Sequence, residues 1–422
     1  MCLEGGSWTN EQGQFLTRIA AQYQALLELA TSLLLKKLFG VSSEHYEEES
    51  RMSYYTHKLD RGVLPVVAVW VMLSVLLLAR PPAFAGMVGT LVTTDYLVSH
   101  TSIEPSYTQY HLEPHVVLHI REVILVGRER TVPKEGKVVL LLHGLGTPGT
   151  VAFDLNHEQC SLMRYLAQAG WDAFVLDFEG YGQSTRPPVM DAPTAFPDSK
   201  APIHTEVTLS NIERAIEFIR TLRGVKQVAL LGWSLAASRE APLYTLWHPE
   251  HIVKLVLWAP GYKSLGINEG ARAQADDIET KSKMTLNRPT LEAWYRLGSK
   301  EEFLVPGAFE SFRDAILASD PRAGELGGAV RVPGGRPVDL YRATQQFDAS
   351  KITVPTLVIR GAHDTSATEQ DNKLLVDQLG SKVKQYVEIP DASHWIMYEK
   401  ANRPFYKAVT DFLDAKVEKK TP

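Results

Sequence analysis

An α/β architecture is what the sequence predicts: a mainly parallel sheet with helices on both faces, plus an inserted helical cap. Three observations carry it. Short continuous apolar runs recur, such as Val138-Val139-Leu140-Leu141-Leu142, as expected for strands buried on both faces. Between them lie segments with apolar residues at helical spacing. Strands that alternate with helices imply a parallel sheet covered on both sides.

The elements follow in order. In residues 1–51, Phe15, Ile19, Tyr23, Leu26, Leu27, Ala30, Leu33 and Leu34 recur at helical spacing within 15–39, which predicts an amphipathic helix. Its polar face is not rich in Lys or Arg, which favours packing over membrane contact. Residues 63–79 form the one strongly apolar run, preceded by Lys58 and Arg61 and followed by Ala83-Phe84-Ala85. At 1.5 Å per residue it covers about 25 Å, short of the ~30 Å hydrocarbon core. Basic flank, apolar run and an A-x-A end describe a signal peptide over 52–85 if Met52 is the true start. The alternative is an uncleaved anchor, and both readings export the remainder, as a periplasmic, secreted or membrane-anchored domain.

From Gly86 onward strands are expected at 115–126, 138–142, 173–176, 228–231, 252–258, 356–359 and 386–389. Helices are expected at 156–169, at 209–219 before Gly224, at 236–248 and at 372–379. A last helix carries Phe405, Val409, Phe412 and Leu413, with Pro404 suited to its first turn. The rhythm breaks over 262–345, a stretch holding Trp294, Tyr295, Phe303, Phe309 and Phe312. It is too long for a plain loop, and a helical cap is expected there. Residues 86–261 and 346–422 then form the two parts of one core.

Composition closes off other classes. The 422 residues are 45% hydrophobic and 22% charged, as in soluble globular proteins. With 44 basic and 49 acidic residues the net charge is -5, so no nucleic-acid footprint is expected. Cys2 and Cys160, the two cysteines, are too few for a disulfide scaffold or a cysteine-rich zinc site. His111, His115 and His119 are spaced by four, but Pro114 and Val116-Val117-Leu118 point to extended chain. There successive histidines stand about 13 Å apart, so no metal site is expected.

Chemistry centres on Val228-Ala229-Leu230-Leu231-Gly232-Trp233-Ser234-Leu235-Ala236. A buried strand ends, a helix starts at once, and a serine sits between small residues at minus two and plus two. Such a turn lifts the hydroxyl above the sheet at a helix N-terminus, which favours developing negative charge. This segment resembles the nucleophile elbow of the α/β-hydrolase family, with Ala236 in place of the second glycine.

Three further segments support the resemblance, which covers roughly residues 115–415. His143-Gly144-Leu145-Gly146 follows a buried strand. In the family this loop gives one oxyanion N–H, here Leu145, and the residue after the nucleophile gives the other, here Leu235. His143 is expected to be structural. Asp177-Phe178-Glu179-Gly180-Tyr181-Gly182-Gln183-Ser184 resembles the family's D-x-x-G-x-G-x-S turn, with Glu179 at an unusual place. Arg360-Gly361-Ala362-His363-Asp364 and Ile389-Pro390-Asp391-Ala392-Ser393-His394 resemble the acid and histidine loops.

The resemblance therefore implies a triad of Ser234, Asp364 and His394 in the family's chain order. His363, Asp391 and Asp348 are the weaker alternatives. Trp233, beside the serine, is expected to bind substrate. Imidazole would take the serine proton while the carboxylate fixes the tautomer and stabilises the cation. Activity should then fall as the pH drops through the range in which an imidazole protonates.

The expected function is cleavage of carboxylic esters through an acyl-enzyme. The alternatives are an aminopeptidase, amidase or perhydrolase activity on the same residues, or a non-catalytic binding protein of this fold. The expected partner is a small ester-like molecule with an apolar part. No cofactor is expected, and residues 63–79 are the route to any membrane association.

Overall fold

The computed structural model describes residues 89–193, 200–263, 269–343 and 346–416. The expected helix at 15–39 and the signal or anchor at 52–85 lie outside the described residues. Among those described, no helix is long and apolar enough to cross a membrane, and Cys160 is a buried free thiol.

Ten strands are described: β1 (Leu91–Thr101), β2 (His115–Leu125), β3 (Val138–Leu142), β4 (Asp172–Asp177), β5 (Val228–Trp233), β6 (Ile252–Trp258), β7 (Met284–Leu286), β8 (Val330–Val332), β9 (Thr356–Gly361) and β10 (Lys384–Ile389). Eight of them make one sheet in the order β1-β2-β4-β3-β5-β6-β9-β10. From β4 to β10 the pairs are parallel, and β1 and β2 join antiparallel at one side. Every residue of β3, β4 and β5 is buried, because helices cover both faces and leave no side for polar residues.

The central strands finish in step. Leu142 pairs with Leu176 on one side and Gly232 on the other. Trp233 pairs with Trp258, and Trp258 with Ile359. The loops after β3, β5, β9 and β10 therefore leave the sheet at one edge, where α/β sheets place their sites.

Some elements differ from the sequence reading. β1 was not expected: its apolar residues neither run together nor alternate cleanly, and as an edge strand it leaves Leu97 69% exposed. The helix expected at 156–169 is shorter, Leu162–Gln168, because Ser161 caps it by accepting from the Arg164 amide at 3.0 Å. Between β6 and β9 lie the helices Glu269–Glu279, Arg288–Gly298, Ala308–Ala318 and Gly335–Arg342. The antiparallel ribbon β7/β8 lies among them, too short at three residues a strand to leave a pattern. The last helix, Asn402–Asp414, takes Pro404 in its first turn, where a missing N–H costs nothing. Its far end is held by the buried Lys254 of β6, whose ammonium donates to the carbonyls of Phe412 and Leu413 at 2.8 and 2.7 Å.

Candidate active site

Ser234 lies one residue beyond β5, with φ at +56°. A side chain rarely accepts that region, and the strain is held by its surroundings. The Ser234 amide donates to the carbonyl of Trp258 at 2.9 Å. Gly232 is required: a Cβ there would stand 2.8 Å from the Ala236 carbonyl carbon and the Ala237 nitrogen. The helix expected at 236–248 is a π-type turn over Ala236–Glu240 followed by an α-helix over Ala241–Trp247.

His394 reaches the serine from the loop after β10. Its Nε2 lies 2.9 Å from Ser234 Oγ, and its Nδ1 lies 2.8 Å from Asp364 Oδ2. The Asp364 side chain is fully buried. Its other oxygen, Oδ1, accepts from the amides of Ser366 and Ala367, both at 2.8 Å. Three hydrogen bonds therefore converge on one carboxylate and fix its orientation.

The histidine loop is fastened by a residue that pattern reading missed. Buried Glu399 accepts from the amide and the hydroxyl of Ser393. The Trp233 indole donates to the carbonyl of His394 at 3.3 Å. Trp233 borders the cavity beside Ser234 but is 1% exposed and stacks on Trp258 at 5.3 Å. Its contacts support the histidine loop more than they face a ligand.

The alternative acids and bases stand elsewhere. Asp348 is exposed and caps a short turn by accepting from the Ser350 amide. Asp391 is exposed at φ +51°. His363 packs on Phe303, 5.1 Å between ring centres.

Leu145 and Leu235 line the same cavity as Ser234. Among the described residues, neither amide is engaged in a turn or loop hydrogen bond. Gly144 allows close approach here, since a Cβ on it would lie 2.8 Å from the Ser234 Cβ. His143 is fully buried, and burial, then the Arg336 cation, push its imidazole down to about 3. It is therefore neutral. Its Nε2 accepts from the Phe178 amide at 3.2 Å, which leaves the proton on Nδ1 for the Gly144 carbonyl at 2.9 Å.

The cavity measures about 330 Å³. Leu235, Ile278, Met284, Trp294, Leu340 and Trp395 give it an apolar wall, and Gln274 and Ser366 add neutral polar groups. Among its described lining residues His394 is the only ionisable group apart from a tyrosine. A second depression, of about 620 Å³, lies beside Phe303 and Pro390 and contains none of Ser234, Asp364 and His394.

The spaced histidines His111, His115 and His119, before and within β2, form no common site. His111 and His115 are exposed, while buried His119 joins Asp177 and Asp95, each at 2.9 Å. Burial opposes its protonation, but the Asp177 hydrogen bond and charge, with Asp95, outweigh that and raise its pKa. A different group, Glu213, His248 and His251, brings its ligand atoms within 4.8 Å of one another. There the Tyr244 hydroxyl donates to Glu213 at 2.6 Å and lies 2.9 Å from His251.

Glu179 has an explanation in the structure. It is fully buried and accepts from the Ser102 hydroxyl at 2.8 Å, so it ties the chain after β1 to the turn after β4. Burial pushes its carboxyl up to about 7. A raised carboxyl favours the fold most below about 4.5, and that contribution is lost as the pH climbs through about 7. Glu179→Gln keeps the shape and an acceptor oxygen. Relative to the wild type it should gain on the order of 3 kcal/mol between pH 4.5 and 8. Melting curves of both proteins at pH 5 and pH 8 check this, and a pH-independent gap contradicts it.

Sheet order, strained turn and strand-end placement are together the plan of the α/β hydrolases. The chain belongs to the alpha/beta hydrolase fold family, whose sequence profile matches residues 137–401. Among solved structures it is similar to an esterase from Exiguobacterium antarcticum, at 16% identity and TM-score 0.52, over 75% of this chain and 99% of that one. It is also similar to a thermophilic esterase from Thermogutta terrifontis, at 16% identity and TM-score 0.50, over 75% and 98%. At such identity the likeness is one of fold. No curated protein sequence matches the chain significantly.

Proposed function

We propose that the chain is a serine hydrolase that cleaves small, neutral carboxylic esters through an acyl-enzyme. The observation that carries the reading is the hydrogen-bonded line from Ser234 Oγ through His394 to Asp364, at 2.9 and 2.8 Å. Along that line His394 takes the serine proton as Oγ attacks the carbonyl carbon. Asp364 holds the tautomer in which Nδ1 carries a proton and Nε2 is free to accept one. The Leu145 and Leu235 amides receive the oxyanion, each worth about 3–4 kcal/mol of barrier. The tetrahedral adduct collapses to an acyl-serine, and the alcohol leaves with the proton from His394. Water then repeats the sequence and frees the acid.

The cavity supports the substrate class. Its volume of about 330 Å³ is near the lower end of the range for small-molecule sites. Among the described lining residues the wall is mostly apolar and carries no carboxylate, which suits an uncharged acyl group and offers no partner to a protonated amino terminus. This favours an esterase over an aminopeptidase. Nitrophenyl esters from acetate to octanoate should therefore be hydrolysed roughly tenfold or more faster than the palmitate ester. Aminoacyl anilides should be turned over far more slowly than the short esters. Faster cleavage of the anilides, or of a charged acyl ester, contradicts the assignment.

A further inference from the structure

Among the described residues Arg336 is one of the largest fully buried side chains, and it comes from the cap. It sits at the second position of the helix Gly335–Arg342. Its Nη2 donates to the His143 carbonyl at 3.0 Å and its Nη1 to the Gly144 carbonyl at 3.2 Å. Its Nε donates to Glu240 Oε1 at 2.6 Å, on the π-type turn that follows the nucleophile. The guanidinium carbon lies over the Phe178 ring, 4.6 Å from its centre. One planar fork thus grips two successive carbonyls of the loop that carries Leu145. An ammonium cannot reproduce that geometry.

The consequence follows from peptide geometry. The Gly144 carbonyl and the Leu145 N–H belong to one planar trans peptide and point in opposite directions. Arg336 Nη1 and the His143 Nδ1–H hold the carbonyl end. The N–H end is thereby turned to the other side, and Leu145 borders the cavity of Ser234. The helix bearing Arg336 also supplies Pro337, Leu340 and Tyr341 to that cavity. It is pinned to the core where Asp339 accepts from the amide and hydroxyl of Thr205, at 2.7 and 2.6 Å. The Gly335 amide adds a bond to the Pro202 carbonyl at 2.8 Å.

We propose that Arg336 is a positioning residue that orients the Gly144–Leu145 peptide, so that docking of the cap helix completes the oxyanion hole. The inference rests on the hydrolase reading given above. Its test compares a carbonyl ester with the matching thionoester. Sulfur accepts hydrogen bonds weakly, so the preference for the oxygen ester reports the hole, whereas a general packing defect slows both substrates alike. Arg336→Met should lower kcat for the oxygen ester about ten- to a hundredfold. KM should stay within about threefold, and the oxygen-over-sulfur preference should shrink by about tenfold.

Arg336→Lys, which keeps a donor but not the fork, should fall between the two. Arg336→Met leaves Glu240 buried without its cation, so the neutral pair Arg336→Met with Glu240→Gln carries the same measurement if the single variant does not fold. A folded variant whose preference matches the wild type overturns the inference, whatever its rate. A wild type that hydrolyses neither ester and takes no fluorophosphonate on Ser234 removes the hydrolase reading and the inference together. An active, labelled wild type with an insensitive Arg336 removes the inference alone.

Discussion

Ser234→Ala is expected to lower kcat on a short nitrophenyl ester by roughly 10⁵–10⁶-fold, with the protein still folded. The hydroxyl is the atom that faces His394 Nε2 at 2.9 Å. Alanine keeps the Cβ, so the turn at φ +56° is no more strained than before. His394 is left facing a cavity and not a closed core, so the melting temperature should move little. The residual rate would come from the oxyanion donors and from binding. Turnover and a melting curve on the same preparation check both halves. Activity above about one per cent of the wild type would move the nucleophile to another residue.

Asp364→Asn is expected to cost roughly 10⁴-fold in kcat, for a reason that the hydrogen bonds specify. Oδ1 of Asp364 accepts from two backbone amides, Ser366 and Ala367. An asparagine must keep its oxygen on those two donors, which turns its NH₂ toward His394 Nδ1. That nitrogen must then accept, so the imidazole proton moves to Nε2 and points at Ser234. The base has become a donor. The fold should survive, because the replacement is isosteric and each group still has a partner. A rate within tenfold of the wild type, from folded protein, would mean that Asp364 does not set the tautomer.

The sheet and the candidate triad were legible for a local reason. Ser234 and Asp364 each follow an apolar strand buried on both faces, the clearest signal a sequence carries. His394 instead follows the edge strand β10, in which only Ile389 is buried, and was found through its loop's resemblance to the family. Small residues around Ser234 added a steric signature, since Gly232 has backbone within 3 Å of where a Cβ would stand. The supporting residues left no such trace. Arg336, Glu240 and Glu399 are fully buried charged groups. In a sequence, such residues look like any surface charge, and their partners lie far along the chain. Glu179 was visible as an oddity, but its meaning depended on Ser102, 77 residues away. β1 went unread because an edge strand has no need of a buried pattern. The π-type turn behind Ser234 follows from local backbone geometry that apolar periodicity does not encode.

The central claim is that the Ser234 hydroxyl is an activated nucleophile, and covalent trapping tests it most directly. Folded wild type is incubated with a fluorophosphonate, and the intact mass and the modified peptide are measured. The expected result is one adduct per chain, on Ser234, absent from Ser234→Ala and strongly slowed in Asp364→Asn. No adduct on folded protein, or an adduct on a different residue, contradicts the claim.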